Sequence, residues 1–207
     1  AWFLAVAAFA RALERGSHRA AALAGVCFGL ALLTKINAIF LPVVLVGWGL
    51  GFRGRRALVP LVWTLGLGVV VFVAGWPWLW PDVPGRILAY LRPTWRVSIP
   101  VKYLGTVWSD KAAPWHYPLV MTAVTVPPGV LFLAVVGLVV AAKTFLRDRH
   151  HSLVLANLAV TLGVFVLPGV PKYDGVRLFL PAFPFVALLA GIGGVRCWEW
   201  VARRWPR

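Results

Sequence analysis

ALVPLVWTLGLGVVVFVAGW, residues 57–76, carries no charged side chain in twenty positions, and the fold turns on how it is read. A helix rises about 1.5 Å per residue, so about twenty residues bridge the roughly 30 Å hydrocarbon core of a bilayer. Isolated strands leave their backbone groups unsatisfied in that medium, which makes helix the required conformation. The same character recurs outward from this run at about 1–10, 20–33, 38–51, 118–142, 152–167 and 178–195. Hydrophobic residues make up 61% of the chain and charged residues 13%, with a mean hydropathy of +0.84, well outside the soluble globular range. The expectation is an all-α polytopic bundle with about seven membrane helices, a single domain over residues 1–207, and a long outer loop at 77–117. The opening AWFLAVAAFA starts without Met inside an apolar run and lacks the basic region and cleavage site of a signal peptide, so the chain reads as the C-terminal part of a longer protein.

Charge orients these runs. Arg11, Arg15, Arg19, Arg53, Arg55, Arg56, Lys143, Arg147, Arg149, Arg196, Arg203, Arg204 and Arg207, thirteen of 21 basic residues, fall on one side if the runs alternate, and the positive-inside rule makes that side cytoplasmic. The outer side then holds Lys35, Arg86, Arg92, Arg96, Lys102, Lys111, Lys172 and Arg177 against Asp82, Asp110 and Asp174, a balance of +5. Nucleic acid is not the partner implied by a net charge of +15, because the cations sit in short linkers between apolar runs. Anionic lipid head groups or a phosphate-bearing ligand suit an outer rim of this sign. Trp76, Trp78, Trp80, Trp95, Trp108 and Trp115 on that side, with Trp198, Trp200 and Trp205 on the other, read as interfacial belts. In DVPGRILAYL, Asp82 is a plausible N-cap and Pro84 falls in the first turn. Ile87, Leu88 and Leu91 share a face, which predicts a short surface helix within 77–117.

Several residues are candidates for chemistry. The runs 20–33 and 38–51 are short, so the turn TKIN between them sits below the head groups and embeds Lys35, which either snorkels or meets an anionic partner. In VPKYDGVRLFLPAFP, residues 170–184, Lys172, Tyr173 and Arg177 gather donors at the mouth of the bundle, with Asp174 either holding or neutralising a cation. His116 in APWHYP, beside Tyr117, is a helix-start anchor or a ligand contact; His150 and His151 belong to a solvated inner linker. P-loop, HExxH, GxSxG and CxxC patterns are absent from the sequence. Cys27 and Cys197 suggest neither a disulfide framework nor a metal site. No cofactor is expected, and the three outer carboxylates are too widely spaced to promise a metal cage.

The ordered set GLALLTKINAIFLP, GWPWLWPDVPGRILAYL, YLGTVWSDKAAPWHYPLVMTAVTVPPGVL and PKYDGVRLFLPAFPFVALLAG resembles the C-terminal part of the membrane-embedded glycosyltransferases of family 39, over about residues 20–195. That group includes the protein O-mannosyltransferases and the lipid A aminoarabinose transferase. The resemblance implies a GT-C bundle that moves a sugar, with inversion, from a polyprenyl-phosphate donor to a lipid, glycan or protein hydroxyl at the outer face of a bacterial inner membrane. It carries donor-phosphate contact onto Lys35, Lys172, Tyr173 and Arg177, with Asp82, Arg86, Tyr103, His116, Tyr117 and Asp174 as substrate-loop candidates. The family's catalytic carboxylate lies in its first outer loop, upstream of these residues, so no catalytic residue is expected in this chain. RVSIPVKYLG stands where a His-Tyr-containing lead-in would be expected, which bears on acceptor-side contacts around residues 97–102. The basic rim would stabilise charge growing on the departing phosphate, and Lys172→Ala or Arg177→Ala is expected to cut turnover without unfolding. A polytopic transporter, favoured by the Pro127-Pro128 pair, and a non-catalytic scaffold are the alternatives from other classes.

Overall fold

The computed structural model describes residues 1–96 and 98–205, the side chains of 91–96 excepted. The expectations placed on Val97 and Arg207, and on the side chains of Leu91, Arg92, Trp95 and Arg96, lie outside the described residues. The structure is 75% helical and falls into two compact units, Ala1–Ser98 and Ile99–Arg207, whose boundary lies inside the expected outer loop at 77–117.

The first unit contains α1 (Trp2–Arg15), α2 (His18–Thr34), α3 (Leu41–Arg53), α4 (Leu58–Ala74) and α5 (Val83–Arg96). The opening quoted run is α4, ending at Gly75. Ser17 starts α2, its Oγ accepting from the Ala20 N–H at 3.3 Å. A 3-10 turn, Ile36–Phe40, leads into α3, and a second, Gly54–Ala57 with Gly54 at φ +55, separates α3 from α4. Helix α2 packs against α1 and α4. The approach to α4 is close because the facing residues are small: a Cβ on Gly29 would stand 2.7 Å from the Gly68 carbonyl, and one on Gly25 would stand 2.9 Å from the Trp63 carbonyl. Gly25-x-x-x-Gly29 is the small-residue spacing by which membrane helices bring their backbones together. Thr64, fully buried, donates across this interface to the Ala21 carbonyl at 3.4 Å.

The second unit begins with a ribbon of β1 (Pro100–Tyr103) and β2 (Thr106–Ser109), antiparallel, with Tyr103 opposite Thr106. Its two-residue turn has positive φ at both centres, Leu104 at 48° and Gly105 at 81°, the sense that matches strand twist. Helices α6 (Tyr117–Thr125), α7 (Pro128–Lys143), α8 (Arg149–Gly163) and α9 (Phe183–Arg204) follow. The run expected at 118–142 is therefore two helices, because Pro127 and Pro128 interrupt the bonding ladder and Val126 turns extended. Helix α7 crosses α9 with backbone near backbone: a Cβ on Gly137 would stand 1.8 Å from the Leu189 carbonyl oxygen, and one on Gly193 would stand 2.0 Å from that of Leu133.

The expectation of about seven membrane helices is not reproduced. Among the described residues, three helical segments are long and apolar enough to cross a membrane: Ile36–Ala74, Arg149–Val166 and Leu180–Arg204. His18–Thr34 and Pro128–Lys143 are apolar but shorter. The run at 1–10 folds as α1, whose Ala5, Phe9 and Ala12 are fully buried. A third or less of each long segment's most apolar window is buried within the chain, and Val62, Val69, Val70, Val135 and Val195 face outward. Such faces suit an apolar solvent.

Candidate functional site

In the first unit the candidate site is built at one end of α2. Lys35 ends that helix, its N–H bonding the Ala31 carbonyl at 3.0 Å, and is half-buried. It lines a cavity of about 310 Å³ together with Thr34, Ile36, Trp76 and Tyr90. Leu32, Leu33 and Gly75 complete the lining, so a lysine shares a recess of mixed polar and apolar character with aliphatic and aromatic side chains. Trp76 meets Tyr90 edge to face at 5.1 Å and lies tilted by 30° against Trp78 at 5.7 Å. The Arg86 guanidinium lies 5.2 Å from the centre of the Trp78 ring and donates to the Trp78 carbonyl. Asp82 is the N-cap expected from the sequence, accepting from the Gly85 N–H at 3.0 Å. Lys35 and Arg86 thus flank one continuous aromatic group, and Asp82 fixes the start of the helix that presents Arg86. Trp76 and Tyr90 were not singled out as ligand contacts from sequence; a tryptophan beside an apolar helix end reads first as a belt anchor.

In the second unit the candidates gather around the ribbon and the segment between α8 and α9. Tyr103 and Tyr117 lie in the same apolar cluster as Phe165, Leu178 and Phe179, with Tyr173 packed against it. The Tyr103 hydroxyl is 2.8 Å from His116 Nδ1. Burial holds the Tyr103 phenol above its ordinary pKa, and either group of the pair can donate, since a hydroxyl and an imidazole nitrogen each take both roles. His116 also begins α6. The Tyr117 hydroxyl accepts from the Gly175 N–H at 3.1 Å, which ties α6 to the segment carrying Lys172 and Arg177.

Lys172 is 1% exposed. Its ammonium donates to the Leu167 and Val170 carbonyls at 3.3 and 3.2 Å, in the irregular segment between α8 and α9. Burial pushes its pKa below the ordinary lysine value. Its backbone N–H bonds the carbonyl of Asp110, itself buried, whose Oδ1 accepts from the Ile99 N–H at 3.3 Å. Lys172 therefore fastens the ribbon and the α8–α9 segment from within, while Arg177, with its side chain 72% exposed, bonds Asp174 at 3.1 Å on the surface. Asp110 is the residue that sequence reasoning missed: it was read only as an outer charge, although its place at the end of a short alternating stretch marks the foot of a hairpin.

The candidates thus form two groups: Lys35, Asp82 and Arg86 in the first unit, and Tyr103, His116, Tyr117, Lys172, Tyr173, Asp174 and Arg177 in the second. Comparison with models of protein families, with curated proteins and with solved structures finds no match.

Proposed function

We propose that this chain is part of an integral membrane glycosyltransferase of the GT-C type, which takes a sugar from a polyprenyl-phosphate donor at the outer face of a bacterial inner membrane. The observation that carries the reading is the recess beside Lys35: a 310 Å³ space lined by a lysine, a threonine and two aromatic residues together with Leu32, Leu33 and Ile36. A phosphate on a long hydrocarbon tail needs both halves of such a site. Lys35 and Arg86 act on the donor phosphate, and Trp76 and Tyr90 pack the first isoprene units. In the second unit Arg177 is exposed beside Asp174, and Lys172 and Tyr117 hold the segment that carries both in shape. The acceptor is a lipid, glycan or protein hydroxyl, and its proton passes to a carboxylate expected upstream of these residues. In this reading α3 and α4 cross separately, because the 39-residue segment holding both would be about 58 Å long as one helix, nearly twice the membrane core; α1, α2, α7, α8 and α9 would then supply the other five of seven passes.

The test is retention of polyprenyl phosphate by the purified chain, read by native mass spectrometry. Lys35→Ala is expected to release the lipid and Lys35→Arg to keep it; equal retention by all three refutes the reading. A transporter is favoured by one observation, the break between α6 and α7 at Pro127. Flux of labelled solute into proteoliposomes, without sugar transfer from a polyprenyl-phosphate donor, would decide for it.

A further inference from the structure

Helix α2 bears a second cavity at its other end. The Lys35 recess lies where α2 and α4 finish; this one, of about 410 Å³, lies where α2 and α4 start and α3 finishes. Arg53 and Arg56 line it together with Ser17 and His18, and Glu14 adds a single carboxylate to the rim. Arg11, Arg15, Arg19 and Arg55 lie near its lining residues in sequence but do not line it. The Ser17 hydroxyl already accepts from the first turn of α2, which leaves its proton to donate outward. His18 is set by an edge contact with the Trp63 indole at 6.4 Å, and Trp63 is itself 46% exposed one turn into α4. The remaining wall is apolar: Leu13, Ala21, Val59 and Pro60. Val59 and Val62 continue it as an exposed aliphatic track along α4.

We infer that this cavity binds the phosphodiester head group of an anionic phospholipid, with one acyl chain laid along Val59 and Val62 of α4. The guanidiniums supply forked donors for phosphate oxygens. The space is far roomier than one inorganic phosphate requires, and its apolar exit onto a lipid-suited helix face has no use for a free anion. Polar contacts at one end and aliphatic contacts at the other match the two ends of a phospholipid, with Trp63 at the depth where indoles settle. The inference rests on the membrane setting proposed above but not on sugar transfer. Its test reads neither Lys35 nor turnover, so either can fail alone.

The full chain in detergent is titrated with phosphatidylglycerol and with phosphatidylcholine, and binding is followed by native mass spectrometry. Phosphatidylglycerol is expected to bind at least tenfold more tightly. Each arginine near a charged head group contributes about fivefold, so Arg53→Gln with Arg56→Gln is expected to weaken phosphatidylglycerol about twenty-five-fold and leave phosphatidylcholine unchanged. Arg56→Gln alone, at an exposed position, is expected to give the fivefold step without any burden on folding. Arg11→Gln with Arg19→Gln removes the same charge outside the cavity and is expected to cost fivefold or less. Equal binding of the two lipids overturns the proposal, as does an equal loss in the two double variants. Displacement of phosphatidylglycerol by an equimolar amount of inorganic phosphate assigns the cavity to a free anion and overturns it as well.

Discussion

Replacing Gly193 with alanine tests the α7–α9 crossing, the closest backbone approach in the second unit. The added Cβ would stand 2.0 Å from the Leu133 carbonyl oxygen and 2.9 Å from the Gly137 N, whereas ordinary contact begins near 3.4 Å. The shortfall of about 1.4 Å falls on backbone of the neighbouring helix, which cannot swing aside as a side-chain tip does. Overpacking of this kind costs about 1–3 kcal/mol, and a rigid obstacle places it near the upper end. Alanine recovers about 1 kcal/mol over glycine from helix propensity, leaving a net loss of about 2 kcal/mol. Gly191, two residues earlier on the same helix, has nothing within 4 Å of its ideal Cβ, so Gly191→Ala keeps the propensity gain with no clash. The two variants should differ by about 3 kcal/mol, or about 6–12 °C in melting temperature for a chain of this size. Thermal unfolding in one detergent, followed by helical circular dichroism, measures the difference. If Gly193→Ala melts with Gly191→Ala or above it, α7 and α9 do not cross at these glycines and the packing derived for the second unit is wrong.

Other perturbations probe single contacts. Lys172 has its folded pKa lowered by burial, so between that value and the ordinary 10.5 the unfolded chain binds more protons and stability rises with pH; Lys172→Met should abolish this alkaline rise in denaturation series run from neutral pH to about 10. For Asp148, burial opposes ionisation, but the His150 and His151 N–H groups, at 2.8 and 3.2 Å, outweigh it and hold the carboxyl below its ordinary pKa. Its cap on α8 is thus complete above the ordinary carboxylate range and lost as pH falls through the lowered value. Asp148→Ala should cost about 1 kcal/mol at neutral pH and remove that acid-side loss in melts recorded from pH 7 downward. Leu104 holds φ +48 with 73% of its surface exposed, so Leu104→Asn, which tolerates this conformation, should gain up to about 1 kcal/mol in thermal melts.

The helical elements were legible wherever one long apolar run mapped onto one helix. Residues 57–76 gave α4, and Asp82 announced α5 through its cap. Run-counting failed at 118–142, where hydropathy is continuous across Pro127 and Pro128 although the backbone is not. The ribbon was invisible for a different reason: four-residue strands escape a window of about 19 residues, and Leu-Gly carries a weaker turn signal than Asn-Gly. At the candidate site, sequence located the cations but not their directions. Lys35 lines a recess, whereas the ammonium of Lys172 turns inward onto two carbonyls of the segment that follows α8. Which backbone groups lie within reach of a lysine is decided by tertiary packing, and one-dimensional charge patterning contains no record of it.

The turn at Leu104 and Gly105 has a practical consequence. Its tip is exposed, while the opposite end of the ribbon is clamped through Asp110 to Lys172 and Ile99. An epitope spliced between Leu104 and Gly105 would project from the far end of a pinned lever, so accessibility of that epitope from either side of sealed vesicles would report the sidedness of the second unit while leaving its interior contacts intact.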